Sequence, residues 1–152
     1  MNVYMQSQVA EILRMPLALV KNWTIGRPIT INPALPAHGS GSRNLYSNND
    51  LYKLALVRQL YKDGLRASVI QRVLDEVGDH IHSLFLVLLR SSSHNGGQLE
   101  VVQIPTAQGL GGGKRRGLIS GYVLNVAVIK DETDRHIAEF WDEKQRAFGS
   151  YQ

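Results

Sequence analysis

The chain contains no cysteine. Disulfides, thiolate metal centres, iron–sulfur clusters and cysteine nucleophiles are therefore excluded, a pattern that fits a reducing compartment. Long apolar runs are missing too, so no segment reads as a membrane span and no membrane partner is expected. The opening, MNVYMQSQVAEIL, lacks a basic segment followed by an apolar stretch and a small-residue cleavage site. It reads as mature sequence, and a cytoplasmic location is the expectation. A further deficit is local. Between Glu11 and Asp50 there is no acidic residue, whereas Arg14, Lys21, Arg27 and Arg43 all fall in that window.

What is present fits around that gap. Residues 1–78 carry nine Lys/Arg against five Asp/Glu, and residues 79–152 carry eight against eight, so the whole net charge of +4 sits in the first half. An acid-free basic stretch can approach polyphosphate without like-charge repulsion, and neutralising phosphates releases counterions. A solvated basic face with no partner fits the charge alone equally well. With 152 residues and 43% hydrophobic content, the chain can bury a core without metals or cross-links.

Helical periodicity places Val9, Ile12 and Leu13 on one side of a helix over 6–13, and Pro16 suits the first turn of a second helix over 16–23. The second helix turns Leu17 and Val20 inward, with Trp23 at the margin of that face, while Lys21, Asn22 and Thr24 face out. A short helix after a sharp turn, cationic and amide-bearing on its outer face, suits reading a major groove. Ile29-Thr30-Ile31 then alternates like a strand, NPALPAHGSGS is rich in turn residues, and RNLYS returns, which predicts a long-tipped hairpin. Ser47 with Asp50 forms a capping-box pattern at the start of a helix that ends at Gly64. Leu54, Val57 and Leu60 line that helix. Leu65, Ile70, Val73, Leu74 and Val77 line the next, which Gly78 closes.

Helix, tight turn, helix, hairpin and helix pair together resemble the MerR-type winged helix-turn-helix, over about half the chain. LALVKNW resembles the family's recognition segment, and RNLYS resembles the basic-to-tyrosine signature that closes its wing. The resemblance implies double-stranded DNA as partner, with Lys21, Asn22, Trp23, Arg43 and Tyr46 at the interface and Arg27 at the wing entrance. Trp23 and Tyr46 fit core packing as well as DNA contact. Three positions depart from the family pattern. Arg14 replaces the glycine of the inter-helix turn, where a non-glycine at positive φ costs about 1 kcal/mol, so a reshaped turn is one outcome. Met5 stands where a capping hydroxyl is usual. The wing has one residue more than usual between Arg43 and Tyr46.

The second half reads as strands LFLVLLR, LEVVQIP and GYVLNV in a three-stranded meander, followed by a long helix capped by Asn125 that carries Val126, Ile129, Ile137, Phe140 and Trp141 on one face. The fold expected is α+β: a MerR-like winged helix-turn-helix over 1–78, then a small three-stranded antiparallel sheet with a long C-terminal helix over 79–152. Apolar surface left over on that helix, and the pairing the family resemblance implies, both predict a homodimer.

Other constellations carry less. GLGGGKRRG is not a phosphate loop, because Gln108 stands where the first glycine is required and Arg115 where Ser or Thr would bind magnesium. It reads as a basic loop. His80 and His82 lack a third patterned metal ligand, and Asp131, Glu132 and His136 read as solvated charges. No cofactor, metal or catalytic set is implied. The function expected is a sequence-specific transcriptional regulator acting as a homodimer. Its rivals are an excisionase-like architectural factor and a protein-interaction adaptor that has lost DNA binding, the latter motivated by Arg14 and the altered wing.

Overall fold

Val9, Ile12 and Leu13 are all buried on one stripe of the first helix, as their spacing requires. A computed structural model describes residues 2–78, 81, 85–91, 99–104 and 118–149. Strand β1 (Val3–Met5) leads into α1 (Gln6–Leu13) and α2 (Leu17–Thr24); β2 (Leu45–Ser47) leads into α3 (Asn48–Lys62) and α4 (Ala67–Val77). Strands β3 (Phe85–Ser91), β4 (Leu99–Ile104) and β5 (Leu118–Asn125) precede α5 (Val126–Gly149). Among the described residues no helix is long and apolar enough to cross a membrane. The His80/His82 pair, His94 and the basic loop over 105–117 lie outside the described residues.

Met5 offers no side-chain cap to α1. The missing hydroxyl is offset from the other side: the Met5 N–H donates to Gln8 Oε1 at 2.9 Å, which is the reciprocal half of a capping box. At the far end Arg14 adopts the left-handed conformation, φ 55° and ψ 45°. Its N–H donates to the Glu11 carbonyl at 3.3 Å and the Met15 N–H to the Ala10 carbonyl at 2.9 Å, the bond pair with which a glycine usually closes a helix. The turn is therefore kept and the strain is carried. Arg58, reaching from α3, donates to the Leu13 carbonyl, and burial pushes its pKa below the ordinary value.

The expected hairpin needs correction. Residues 29–31 form no strand, and the returning segment β2 pairs instead with β1, antiparallel, with Tyr4 opposite Tyr46. Ile29 and Ile31 are buried, as alternation suggested, but their stretch is held by other partners. The Ile31 N–H donates to the Trp23 carbonyl at 2.7 Å and the Thr30 N–H to Gln71 Oε1 at 2.8 Å. With those amides committed to α2 and α4, no ladder can form. The wing is closed by a single bridge, Leu35 to Leu45, and by side chains at its tip, where Asn44 Oδ1 accepts from Ala37 N–H at 2.8 Å and Ser42 Oγ from His38 N–H at 2.5 Å.

Helix α3 begins as the capping box predicts: the Asp50 N–H donates to Ser47 Oγ at 3.2 Å and the Ser47 N–H to Asp50 Oδ2 at 2.9 Å. The same carboxylate oxygen accepts the Ala34 N–H at 2.8 Å, tying the wing to the helix start. Gly64, at φ 86°, ends α3 with paired bonds from Gly64 to Tyr61 and Leu65 to Leu60.

The second sheet has β3 in the centre, with β4 and β5 antiparallel on either side. The chain thus returns past its first strand, where a meander was expected. Asn125 caps α5 through a 3.2 Å bond from the Val128 N–H. Helix α5 lies back on α1 and α3. Ile137 and Phe140 are buried there, the Trp141 ring sits 6.1 Å from that of Tyr4, the Tyr52 hydroxyl donates to Asp134, and the Lys130 ammonium lies 5.3 Å from the Tyr52 ring centre. The buried apolar residues of α5 belong to one cluster with Tyr4, Val9 and Leu54, so the core does not stop at Gly78. His136 does not lie on a solvated face: it is buried, and among the described residues its Nδ1 has no hydrogen-bond partner.

The strain at Arg14 has a measurable consequence. Its ion pair to Glu139 at 3.2 Å joins exposed side chains and contributes little, whereas a left-handed non-glycine costs about 1–2 kcal/mol. Arg14→Gly should therefore stabilise the protein by about 1 kcal/mol, seen as a rise in Tm of about 2–4 °C. A fall in Tm would mean that the contact with α5 outweighs the backbone.

Candidate nucleic-acid interface

The acid-free window supplies α2 and the wing, and the fold brings them to one place. A groove of about 350 Å³ opens between the start of α1, the outer face of α2 and the returning arm of the wing. Lys21 and Leu17, one turn apart on α2, line it together with Ser7, and Ser42 and Arg43 line it from the wing. Lys21 and Arg43 are exposed. Among the described residues no carboxylate lies within ion-pair distance of Lys21, Arg27 or Arg43. Arg43 Nη1 rests 3.4 Å from the sulfur of Met5, a contact that neutralises nothing. Two cations therefore flank one groove with their charge uncompensated.

A larger cleft of about 500 Å³ lies elsewhere, between the base of the wing, α3 and α4. Its lining includes Asp50 and Asp75 beside Lys53. Carboxylates in the wall oppose a polyanion, so size does not decide in its favour.

The six residues expected at the interface separate into three pairs. Lys21 and Arg43 share the groove. Asn22 is half-buried and Arg27 exposed, and neither lines it. Trp23 and Tyr46, by contrast, are core residues. The Trp23 ring stacks on Tyr61 at 5.5 Å between centres and 10° between planes, so its face is covered. Tyr46 is fully buried, and its hydroxyl is enclosed by polar neighbours. Thr24 Oγ1 donates its one proton to the Val20 carbonyl at 2.9 Å. The 2.6 Å contact between Thr24 Oγ1 and the Tyr46 hydroxyl must then have the tyrosine as donor. Gln6 Nε2 donates to the same tyrosine oxygen at 3.0 Å. A directed chain runs from Gln6 through Tyr46 and Thr24 to the backbone of α2, and it fixes α1, α2 and β2 to one another.

Leu17 also departs from expectation: it is 38% exposed rather than inward. Helical spacing would have shown this, because Leu17 and Lys21 are four residues apart and share a face. Ser42 and Asn44 were hidden in a turn-rich stretch, whose Asn and Ser content signalled backbone hydrogen bonding without naming its partners.

Residues 4–77 match the model of the family described as MerR HTH family regulatory protein. Residues 4–77 are a MerR HTH regulatory domain. That family is not enzymatic, and it implies regulation of transcription through DNA binding. No curated protein matches the chain. The matched span begins at Tyr4, the partner of Tyr46 across the two strands, and ends at Val77, the last residue of α4. It therefore encloses the whole groove and excludes the second sheet and α5. One of the two motives for the adaptor reading falls away, because Arg14 holds the turn of the MerR domain in place of glycine. Among the described residues no group of three His, Asp or Glu side chains is arranged to hold a metal.

Removing the Tyr46 hydroxyl tests the chain of bonds. Tyr46→Phe leaves the part-buried Gln6 Nε2 without its acceptor and removes the hydroxyl that donates to Thr24 Oγ1, which keeps only its own bond to the Val20 carbonyl; the loss should cost about 1–3 kcal/mol in denaturant unfolding. An unchanged midpoint would show that the three segments are held by packing alone.

Proposed function

We propose that the chain is a sequence-specific transcriptional regulator that binds duplex DNA as a homodimer, with α2 in the major groove and the wing on the adjacent phosphates. One observation carries this reading: Lys21 and Arg43, on separate elements, flank one groove and have no counter-charge among the described residues. Phosphate is the partner that such a pair lacks. Arg27, exposed beyond the end of α2, extends the basic surface towards the wing entrance, and Asn22 provides an amide on the recognition helix. Trp23 and Tyr46 serve from within, by setting the angle at which α2 is presented.

Pairing is assigned to residues 79–152. Most of the apolar face of α5 is spent on α1 and α3, but Val123, Val128 and Phe148 remain exposed at 55%, 56% and 78%, and a second copy would cover them. Two recognition helices related by a two-fold axis match half-sites about 10 base pairs apart, or a multiple of that.

Binding measured across a salt series tests the assignment. Lys21→Ala should weaken all duplexes alike and reduce the magnitude of the salt slope by about one, the share of a single phosphate contact. A slope identical to that of the wild type would remove Lys21 from the interface.

A further inference from the structure

The first turn of α2 carries no side chain able to donate or accept a hydrogen bond. Pro16, Leu17 and Ala18 are consecutive, and all three are exposed. Pro16 has no N–H, and its carbonyl is already engaged by the Leu19 and Val20 amides at 3.0 and 3.4 Å. Only at Lys21, one turn further on, does a polar side chain enter the groove from α2. Leu17 stands on the same face as Lys21 and is 38% exposed, whereas Val20 and Trp23 on the same helix are buried and Leu19 is partly buried against the core.

Recognition helices present their N-terminal residues to base edges. Any base pair brought against this turn would lose water from its polar edge groups and gain no hydrogen bond in return, so discrimination falls to apolar contact. Of the four bases, thymine alone presents an apolar group to the major groove, its C5 methyl. Leu17 also costs the free protein something: a large apolar side chain held in water at the mouth of a cationic groove. That cost is relieved if the side chain closes on a methyl group while Lys21 and Arg43 take the flanking phosphates.

Resting on the assignment of this groove to duplex DNA, we infer that Leu17 is a specificity-determining residue that reads a thymine methyl group, so that each half-site carries an A·T pair where α2 enters the groove. Specificity at that pair comes from apolar contact, with Pro16 and Ala18 leaving the floor of the turn free of competing donors. The sense of the preference is opposite to that of a helix bearing arginine at its start, which selects guanine.

The test uses the full chain. Duplexes are first selected from a random pool, and each thymine of the selected half-site is then replaced by deoxyuracil, which removes the methyl group and nothing else. Wild-type protein should lose about fourfold in affinity at one position, the equivalent of about 0.8 kcal/mol for one buried methyl group. Leu17→Ala should bind more weakly than wild type and be indifferent to the same replacement, while its salt slope stays unchanged because Lys21 and Arg43 remain. Uracil replacement in the wild-type complex needs no variant, so a folding defect in Leu17→Ala cannot mask the result. Selection of guanine or cytosine at the entry position, or equal affinity for thymine and uracil throughout, would overturn the role of Leu17 while leaving the phosphate contacts standing. Retention of no duplex at low salt would overturn the DNA assignment and this inference with it.

Discussion

Tyr46 is fully buried, yet it carries a hydroxyl that cannot be left without partners inside a protein. Its oxygen accepts from Gln6 at the start of α1 and donates to Thr24 at the end of α2. Its backbone is paired with Tyr4 in the strand that precedes α1. One side chain thereby ties together the entry to the first helix, the exit of the second and the return of the wing, segments that span more than forty positions in the chain. The groove between Lys21 and Arg43 exists because these three pieces are held at fixed angles. Its lining comes from all three, and a shift of any one would separate the two cations.

Helix α1 is loaded at both ends. Its N-terminus forms part of the groove, while its C-terminal half lies under α5, where Lys144 meets Glu11 at 3.6 Å and Arg14 meets Glu139 at 3.2 Å. These exposed pairs add little energy. The apolar contacts beneath them, from Ile137 and Phe140, carry the attachment. Tyr122 on β5 adds a further link by donating to Asp63 at the end of α3. That bond, helped by Gln59, holds the Asp63 carboxyl below the usual carboxylate range. The MerR domain and the tail thus share a core even though only the former carries the family match.

Much of the first half could be read before any coordinates. Periodicity located α1 to α4, and the Ser47 to Asp50 box and Gly64 marked the ends of α3, because these signals depend on neighbours within one turn. Long-range choices were less legible. Nothing local in RNLYS says that its partner is Val3–Met5 rather than Ile29–Ile31, since either segment offers a short stretch of strand-forming residues. The amide partners of 30 and 31, a glutamine on α4 and a carbonyl on α2, settle that choice only after folding. Aromatic residues in a basic stretch were ambiguous for a related reason: Trp23 and Tyr46 are apolar bodies with polar tips, equally suited to a core or to a nucleic acid. Their burial follows from Tyr61 for the first and from Thr24 and Gln6 for the second, partners that lie 22 to 40 positions away. Leu17 is expected inward as an apolar residue, although its four-residue spacing to Lys21 marks a shared outer face, a local signal that outweighs apolarity alone. The tail showed its strands and its helix cap at Asn125, but the placement of β3 at the centre of its sheet has no local marker.

Chemical-shift mapping on the full chain, with a short duplex titrated into isotope-labelled protein, reports most directly whether one groove receives DNA. The signals of Ser7, Leu17, Lys21, Ser42 and Arg43 should move together and saturate at one duplex concentration, while those of Gln71 and Asp75 in the larger cleft stay in place. Shifts confined to the larger cleft, or an α2 that responds while the wing does not, would contradict a single interface built around the Tyr46 hydroxyl.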